Sequence, residues 1–224
     1  MTLKLLSVSN PKLLSGEGRG YRTFGLSLAP SDMSGFNTCP MASPACRLAC
    51  LGKESGRAHC GNVKAARIRK TRWYFEARET FLNQLRTDIG FAIRNAERAG
   101  LIPAFRLNVF SDIRWEGHGI PQNFPNVQFY DYTKLANRMH VPDNYHLTFS
   151  RSEDNGYLCD LVPYNTAVVF RHTLPARYLG LPVIDGTLTD LRFLDPKGVV
   201  VGLLAKGKKA KTDTTGFVVD AEAA

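Results

Sequence analysis

A chain of 224 residues, 44% of them hydrophobic, is long enough for one substantial core. A single domain over 1–224 is therefore predicted, and with no run of about 18 apolar residues no membrane-spanning helix is expected. Lys and Arg number 29 against 20 Asp and Glu, a net charge of +9, which fits a polyanionic partner such as nucleic acid and equally a merely basic surface.

In chain order, Met1 to Pro11 has no apolar stretch leading to a small-residue cleavage site, so no secretory signal is expected and the chain reads as intracellular. Residues 3–8 predict a short strand, and Asn10 to Gly20 a loop. Tyr21 to Leu28 alternates and predicts a strand ending at Ala29-Pro30. A long irregular segment follows from Cys39 to Cys60, with Pro40 and Pro44 keeping its first half non-helical and one turn expected over Cys46 to Leu51. Val63 to Ala99 then carries apolar positions at helical spacing, with Asn62 as candidate cap, Gly90 as candidate break and Gly100 as terminator.

Beyond residue 101 the pattern changes to short apolar runs that end in polar residues. Ala104–Phe110 runs into Ser111-Asp112, and Val127–Tyr130 into Asp131-Tyr132-Thr133-Lys134. His146–Phe149 runs into Ser150-Arg151, Ala167–Phe170 into Arg171-His172, Pro182–Ile184 into Asp185-Gly186, and Val199–Leu204 into Ala205-Lys206. Leu135–Met139 and Ala176–Leu179 read as short helical connections. Continuous apolar strands predict a parallel sheet covered on both faces. The expected fold is α/β, a partial or irregular (β/α) barrel of about seven strands with the cysteine loop after an early strand. Asp112, Asp131, Lys134, Arg151, Arg171 and Asp185 then become candidates for a pocket at the strand ends. The tail, Thr212 to Ala224, is expected to fray beyond Val219.

Four of the five cysteines, Cys39, Cys46, Cys50 and Cys60, fall in the one segment with spacing C-x6-C-x3-C-x9-C. An intracellular setting and an odd count disfavour disulfides. Structural zinc sites bring paired C-x2-4-C knuckles from two places, and only Cys46 and Cys50 come near that. Unequal gaps on an irregular loop suit a [4Fe–4S] cubane better, and Cys39-Pro40 matches the end of a ferredoxin-type ligand run. The metal set is therefore Cys39, Cys46, Cys50 and Cys60, for a [4Fe–4S] cluster, with zinc or reduced or catalytic thiols as alternatives and His59 as a substitute ligand. Cys159 reads as a small core residue. Directly after the cysteines come Lys64, Arg67, Arg69, Lys70 and Arg72. Arg67 and Lys70 are the candidates to lie beside the cluster and offset its negative charge. Lys206, Lys208, Lys209 and Lys211 around Gly207 form a second cationic group, read either as a phosphate or nucleic-acid contact or as a solvated turn. No Walker pattern, H-E-x-x-H or Ser-His-Asp order is present.

The Asn37–Leu51 segment, with Gly56-Arg57, Ala66-Arg67 and Lys70-Thr71, resembles the phage gene product 88 family. So do Phe129–Lys134, Val183–Gly186 with Asp190, and Gly202–Lys211 with Gly216-Phe217. The resemblance spans about residues 20 to 219 and implies viral origin and expression in the cytoplasm of a bacterial host. A weaker resemblance, to radical S-adenosylmethionine enzymes, rests on a partial α/β barrel with a cysteine loop after the first strand. The spacing departs from the C-x3-C-x2-C of those enzymes, and a fourth thiol ligand would close the iron that binds their cofactor. Three functions follow as expectations. The first is an iron–sulfur protein in electron transfer, sensing or cluster delivery, with a host redox or iron–sulfur protein as partner. The second is a nucleic-acid-binding phage protein with a structural metal, and the third is a radical-type enzyme.

Overall fold

The computed structural model describes residues 4–8, 15–54 and 56–221, and among them one ten-stranded sheet carries two long helices. The strands are β1 (Leu6–Ser7), β2 (Tyr21–Leu26), β3 (Ile102–Arg106), β4 (Gln128–Thr133), β5 (Tyr145–Ser150), β6 (Thr166–Phe170), β7 (Arg177–Tyr178), β8 (Leu181–Asp185), β9 (Val200–Leu204) and β10 (Val218–Val219). Leu3, Asn10 to Leu14 and the last three residues lie outside the described residues, so the readings made there have no structural counterpart.

Strands β2 to β6 are neighbours in sequence order and pair in parallel. The chain then crosses to β8 and returns to β9, which pairs with β6 and β8 in parallel. Strand β10 pairs with the end of β6 through Val218 and Val169. The α/β class holds, but the sheet is open. Antiparallel β1 lies against β2 at one edge, and antiparallel β7 lies against β8 at the other. A short antiparallel strand on each edge leaves no parallel edge to pair across, so among the described residues nothing closes the sheet. The segment over Ala176–Leu179, read above as helical, supplies β7 instead, because Gly180 turns it back at φ +69° into a hairpin. Leu135–Met139 is a turn without helix.

The long helical pattern divides at Ala77 rather than at Gly90. Among the helices, α1 is Pro44–Leu48, α2 is Leu51–Glu54, α3 is Gly61–Glu76, α4 is Arg78–Arg98 and α5 is Lys208–Lys211. Ala77 leaves helical geometry at φ −141°, ψ 60°. The two halves bury different things: α3 buries Arg67, Thr71 and Tyr74, whereas α4 buries Phe81, Leu82, Leu85, Ile89, Ala92 and Ala96. The turn at Ala77 lets α4 lie along the sheet while α3 crosses toward the strand ends. Cys60, not Asn62, is the cap position of α3, and Gly100 at φ +68° follows the end of α4 as expected. Pro44 begins α1 rather than preventing it. Its fixed φ suits the first helical position, and Ser43 caps it by accepting from the Cys46 amide.

The period of two along the strands separates two unlike faces. Phe24, Phe105, Phe129 and Leu147 face Phe81, Leu85 and Ile89 of α4 in the main core. The opposite face carries Thr23, Arg106, Tyr130, Tyr132 and Thr148, so it is polar where the sequence predicted apolar cover. The loop after β8 lies over it. Arg106 donates to Asp190 at 2.6 Å, and the Phe193 ring sits 5.1 Å from that of Tyr21 and 5.4 Å from that of Tyr130.

Candidate metal and ligand site

The polar residues that end β3, β4, β5 and β9 meet the cysteine segment around one cavity of about 270 Å³. The carboxyl ends of parallel strands are where an open α/β sheet places its site. Cys39, Cys46 and Cys50 all line this cavity. Each is held by different elements. Before Cys39, the Thr38 hydroxyl donates to Ala29 O at 2.7 Å, and Thr38 O accepts from the Asp112 amide at 2.8 Å, which ties the loop to the end of β3. Cys46 sits in α1, whose N-terminus is held by Glu153 from the loop after β5. That carboxylate accepts from the Ser43 hydroxyl at 2.7 Å and from the Ala45 amide at 2.9 Å. Cys50 precedes α2, and its carbonyl accepts from the Lys53 and Glu54 amides.

Burial raises the pKa of all three thiols, Cys39 to about 11. The Ser31 amide donates to Cys39 Sγ at 3.4 Å, and the Gly52 and Lys53 amides act on Cys50, each opposing the rise. Left free, the three thiols stay protonated at neutral pH, which disfavours a nucleophilic role. A bound metal would deprotonate them, and amides aimed at sulfur suit thiolate ligands. Among the described residues no three His, Cys, Asp or Glu side chains form a group that could hold a metal ion. Tetrahedral zinc at about 2.3 Å would need its sulfurs within about 4 Å of one another. A cubane would bind each cysteine through a different iron and so would accept wider spacing between the thiols.

Cys60 is exposed and does not line the cavity. His59 likewise is no part of the lining. Cys159 is buried, as a core residue, and does not line the cavity. Arg67 does reach the cysteine loop: it is buried, donates to Gly52 O at 2.9 Å and lies over the Phe110 ring beside Cys39 and Cys50. Lys70 turns the other way. Its Nζ donates to Leu5 O at 2.6 Å, and burial lowers its pKa to about 8. The Arg72 side chain pins the loop further along through Ser34 O.

Of the strand-end residues, Asp112 and Lys134 line the cavity. Asp112 is turned into the wall, accepting from the Thr133 hydroxyl at 2.8 Å, the Lys134 amide at 2.7 Å and Arg138 at 3.4 Å. Asp131 points to the face that α4 covers, where Tyr145 OH and the Asn108 amide each donate to it at 2.7 Å. Arg151 donates to Gly216 O, Arg171 pairs with Asp220, and Asp185 closes its own turn on Thr187, so none of these three belongs to the site. The C-terminal lysines also separate: Lys206 borders the cavity, whereas Lys209 pairs with Glu54 at 3.0 Å. The sequence reading missed Arg106, Tyr132 and Ser150 as lining residues. Arg106, a charge at the centre of an apolar run, was the available signal. No helix among the described residues is long and apolar enough to cross a membrane.

A family model described as Gene product 88 matches residues 4–221. No curated protein and no solved structure matches.

Proposed function

The chain belongs to the Gene product 88 family, and we propose that it is an iron–sulfur protein holding a [4Fe–4S] cluster on Cys39, Cys46 and Cys50. One observation carries this reading: three of the four clustered thiols border one cavity, and Cys60 lies outside it. A cluster held by these three thiolates would supply one-electron chemistry, and one iron would be left for an outside ligand. Three thiols bordering a lined cavity favour an enzyme of the radical S-adenosylmethionine kind over a sealed electron carrier. The sequence-ordered run β2 to β6 supports reading the sheet as part of an incomplete (β/α) barrel. The resemblance to phage proteins makes the host cytoplasm the expected setting.

The second reading has Cys60 as fourth ligand, on the strength of its place in the same segment. The protein then serves in electron transfer, sensing or cluster delivery, with a host redox or iron–sulfur protein as partner. A nucleic-acid role has less support, because Lys206 and Lys209 face different neighbours.

Anaerobic reconstitution followed by iron, sulfide and EPR analysis tests both. Cys39→Ser, Cys46→Ser and Cys50→Ser should each lose the cluster, and Cys60→Ser should keep it. Loss in Cys60→Ser selects the second reading, and stoichiometric zinc without sulfide overturns both. Reductive cleavage of S-adenosylmethionine by the reconstituted protein would support the enzyme reading.

A further inference from the structure

The cavity has a second wall, built around Lys134, whose charge also acts on Cys46. Lys134 is 9% exposed, and its Nζ donates only to neutral oxygens: Ser150 O at 3.1 Å, Ser150 Oγ at 2.8 Å and Arg151 O at 3.3 Å. Among the described residues it has no carboxylate within ion-pair distance. The nearby carboxylate of the lining, Asp112, is engaged by Thr133, the Lys134 amide and Arg138. Asp112 acts on the ammonium only from beyond ion-pair distance, and a buried ammonium so loosely balanced is costly and suits a site that an anion completes.

Two further lining residues carry polar atoms without a partner among the described residues, set in the wall itself and closed to solvent. Arg106 uses Nη1 on Asp190, but its buried Nε has no hydrogen-bond partner. The buried hydroxyl of Tyr132, whose ring lies 4.8 Å from the Arg106 guanidinium carbon, has none either. Lys206 adds an exposed cation at the rim. The remaining surface is apolar, with Phe110, Val169, Leu203 and Phe217. The Phe217 ring is 5.6 Å from Lys134 Nζ, so an apolar body and a charged end have adjoining places.

We infer that this cavity binds a small organic oxyanion, a carboxylate or phosphate on an apolar body, whose charged group completes Lys134 with help from Arg106 and Lys206. This rests on the proposed function only in placing the ligand beside the thiols; the anion site itself stands on the side chains of the other wall. Such a ligand is of the size and character that concave, mostly apolar sites with a few convergent polar groups select.

The test is isothermal titration of the full chain, with and without reconstituted cluster, against benzoate, phenyl phosphate and the neutral control benzyl alcohol. At least one anion should bind and benzyl alcohol should not, the better anion identifying the charged group. Lys134→Met should weaken that anion at least tenfold, and Lys206→Ala, exposed and therefore harmless to the fold, at least threefold. Lys209→Ala should match the wild type. Circular dichroism melts certify that each variant is folded. Binding of neither anion, equal binding of benzyl alcohol, or wild-type affinity in both Lys134→Met and Lys206→Ala overturns the inference. Iron and sulfide content is measured on the same samples. A full cluster without anion binding sinks only the inference, and anion binding without a cluster sinks only the iron–sulfur reading.

Discussion

The guanidinium of Arg67 lies 4.3 Å from the centre of the Phe110 ring. It clamps the cysteine loop between α3 and the end of β3, with its hydrogen bond to Gly52 O fixing the backbone two residues after Cys50. Gly52 is closely packed, since a Cβ there would sit 3.0 Å from both Phe110 and Pro30 and these would have to give way. Replacing Arg67 by Met removes the donor and the cation–ring contact and leaves a buried carbonyl unpaired, a loss of about 1–3 kcal/mol. The melting temperature should fall by several degrees, with faster thiol labelling of Cys50. Unchanged melting and labelling would show that the loop does not depend on the clamp.

Glu153 fastens the wall that carries Cys46. Its two oxygens take the Ser43 hydroxyl and the Ala45 amide. Glu153→Ala therefore strips the N-terminus of α1 of an acceptor, with a cost of about 1 kcal/mol. The expected signature is local: faster amide exchange over 43–48 with the α4 amides unaffected. Uniform acceleration across both would mean that Glu153 supports the whole fold instead.

Burial lifts the Asp131 carboxyl to about 7, against its hydrogen bonds from Tyr145 and Asn108 and the nearby Arg106 and Arg138, which all favour the charged form. A free aspartate titrates near 3.9. Between about 4 and about 7 the folded protein keeps a proton that the unfolded chain releases, so this group's contribution to stability is full at the acid end and lost as pH rises through that window. In urea titrations Asp131→Asn should gain, relative to the wild type, as pH rises from about 4 to about 7. A constant difference between the two would contradict the raised value.

Lys70 has the opposite dependence. Burial, the first cause, lowers it to about 8, with Arg67 adding to the shift and Asp88 opposing it. An unfolded lysine holds its proton to about 10.4, so the unfolded chain binds more protons between about 8 and about 10 and stability rises with pH there. Lys70→Met should flatten that rise. An unaltered slope in the variant would place Lys70 in water.

Much of this was readable beforehand. The strands from Ala104–Phe110 onward were found in place, because β-branched and aromatic runs that end in polar residues leave few alternatives. The cysteine segment after β2 and a cavity at the carboxyl ends followed from the same pattern. The break at Ala77 was hidden, since alanine carries no helix-breaking signal and the change from the polar buried face of α3 to the apolar face of α4 is a tertiary requirement. The division of the cysteines was hidden too: Cys60 differs from Cys46 only in where the chain goes after Glu54. Arg106 and Tyr132 were missed because a period-two reading cannot say whether the second face meets solvent, apolar cover or a polar cavity.

The contact between Glu153 and Ser43 joins positions 110 apart in the chain. Closing so long a loop is slow relative to local helix formation, and it must wait for the strands between. During synthesis α3 and α4 can form while the wall bearing Cys46 is still unanchored, and that wall is secured only after residue 153 has left the ribosome. The thiol cradle is thus a late product of folding, assembled on a sheet that is already in place.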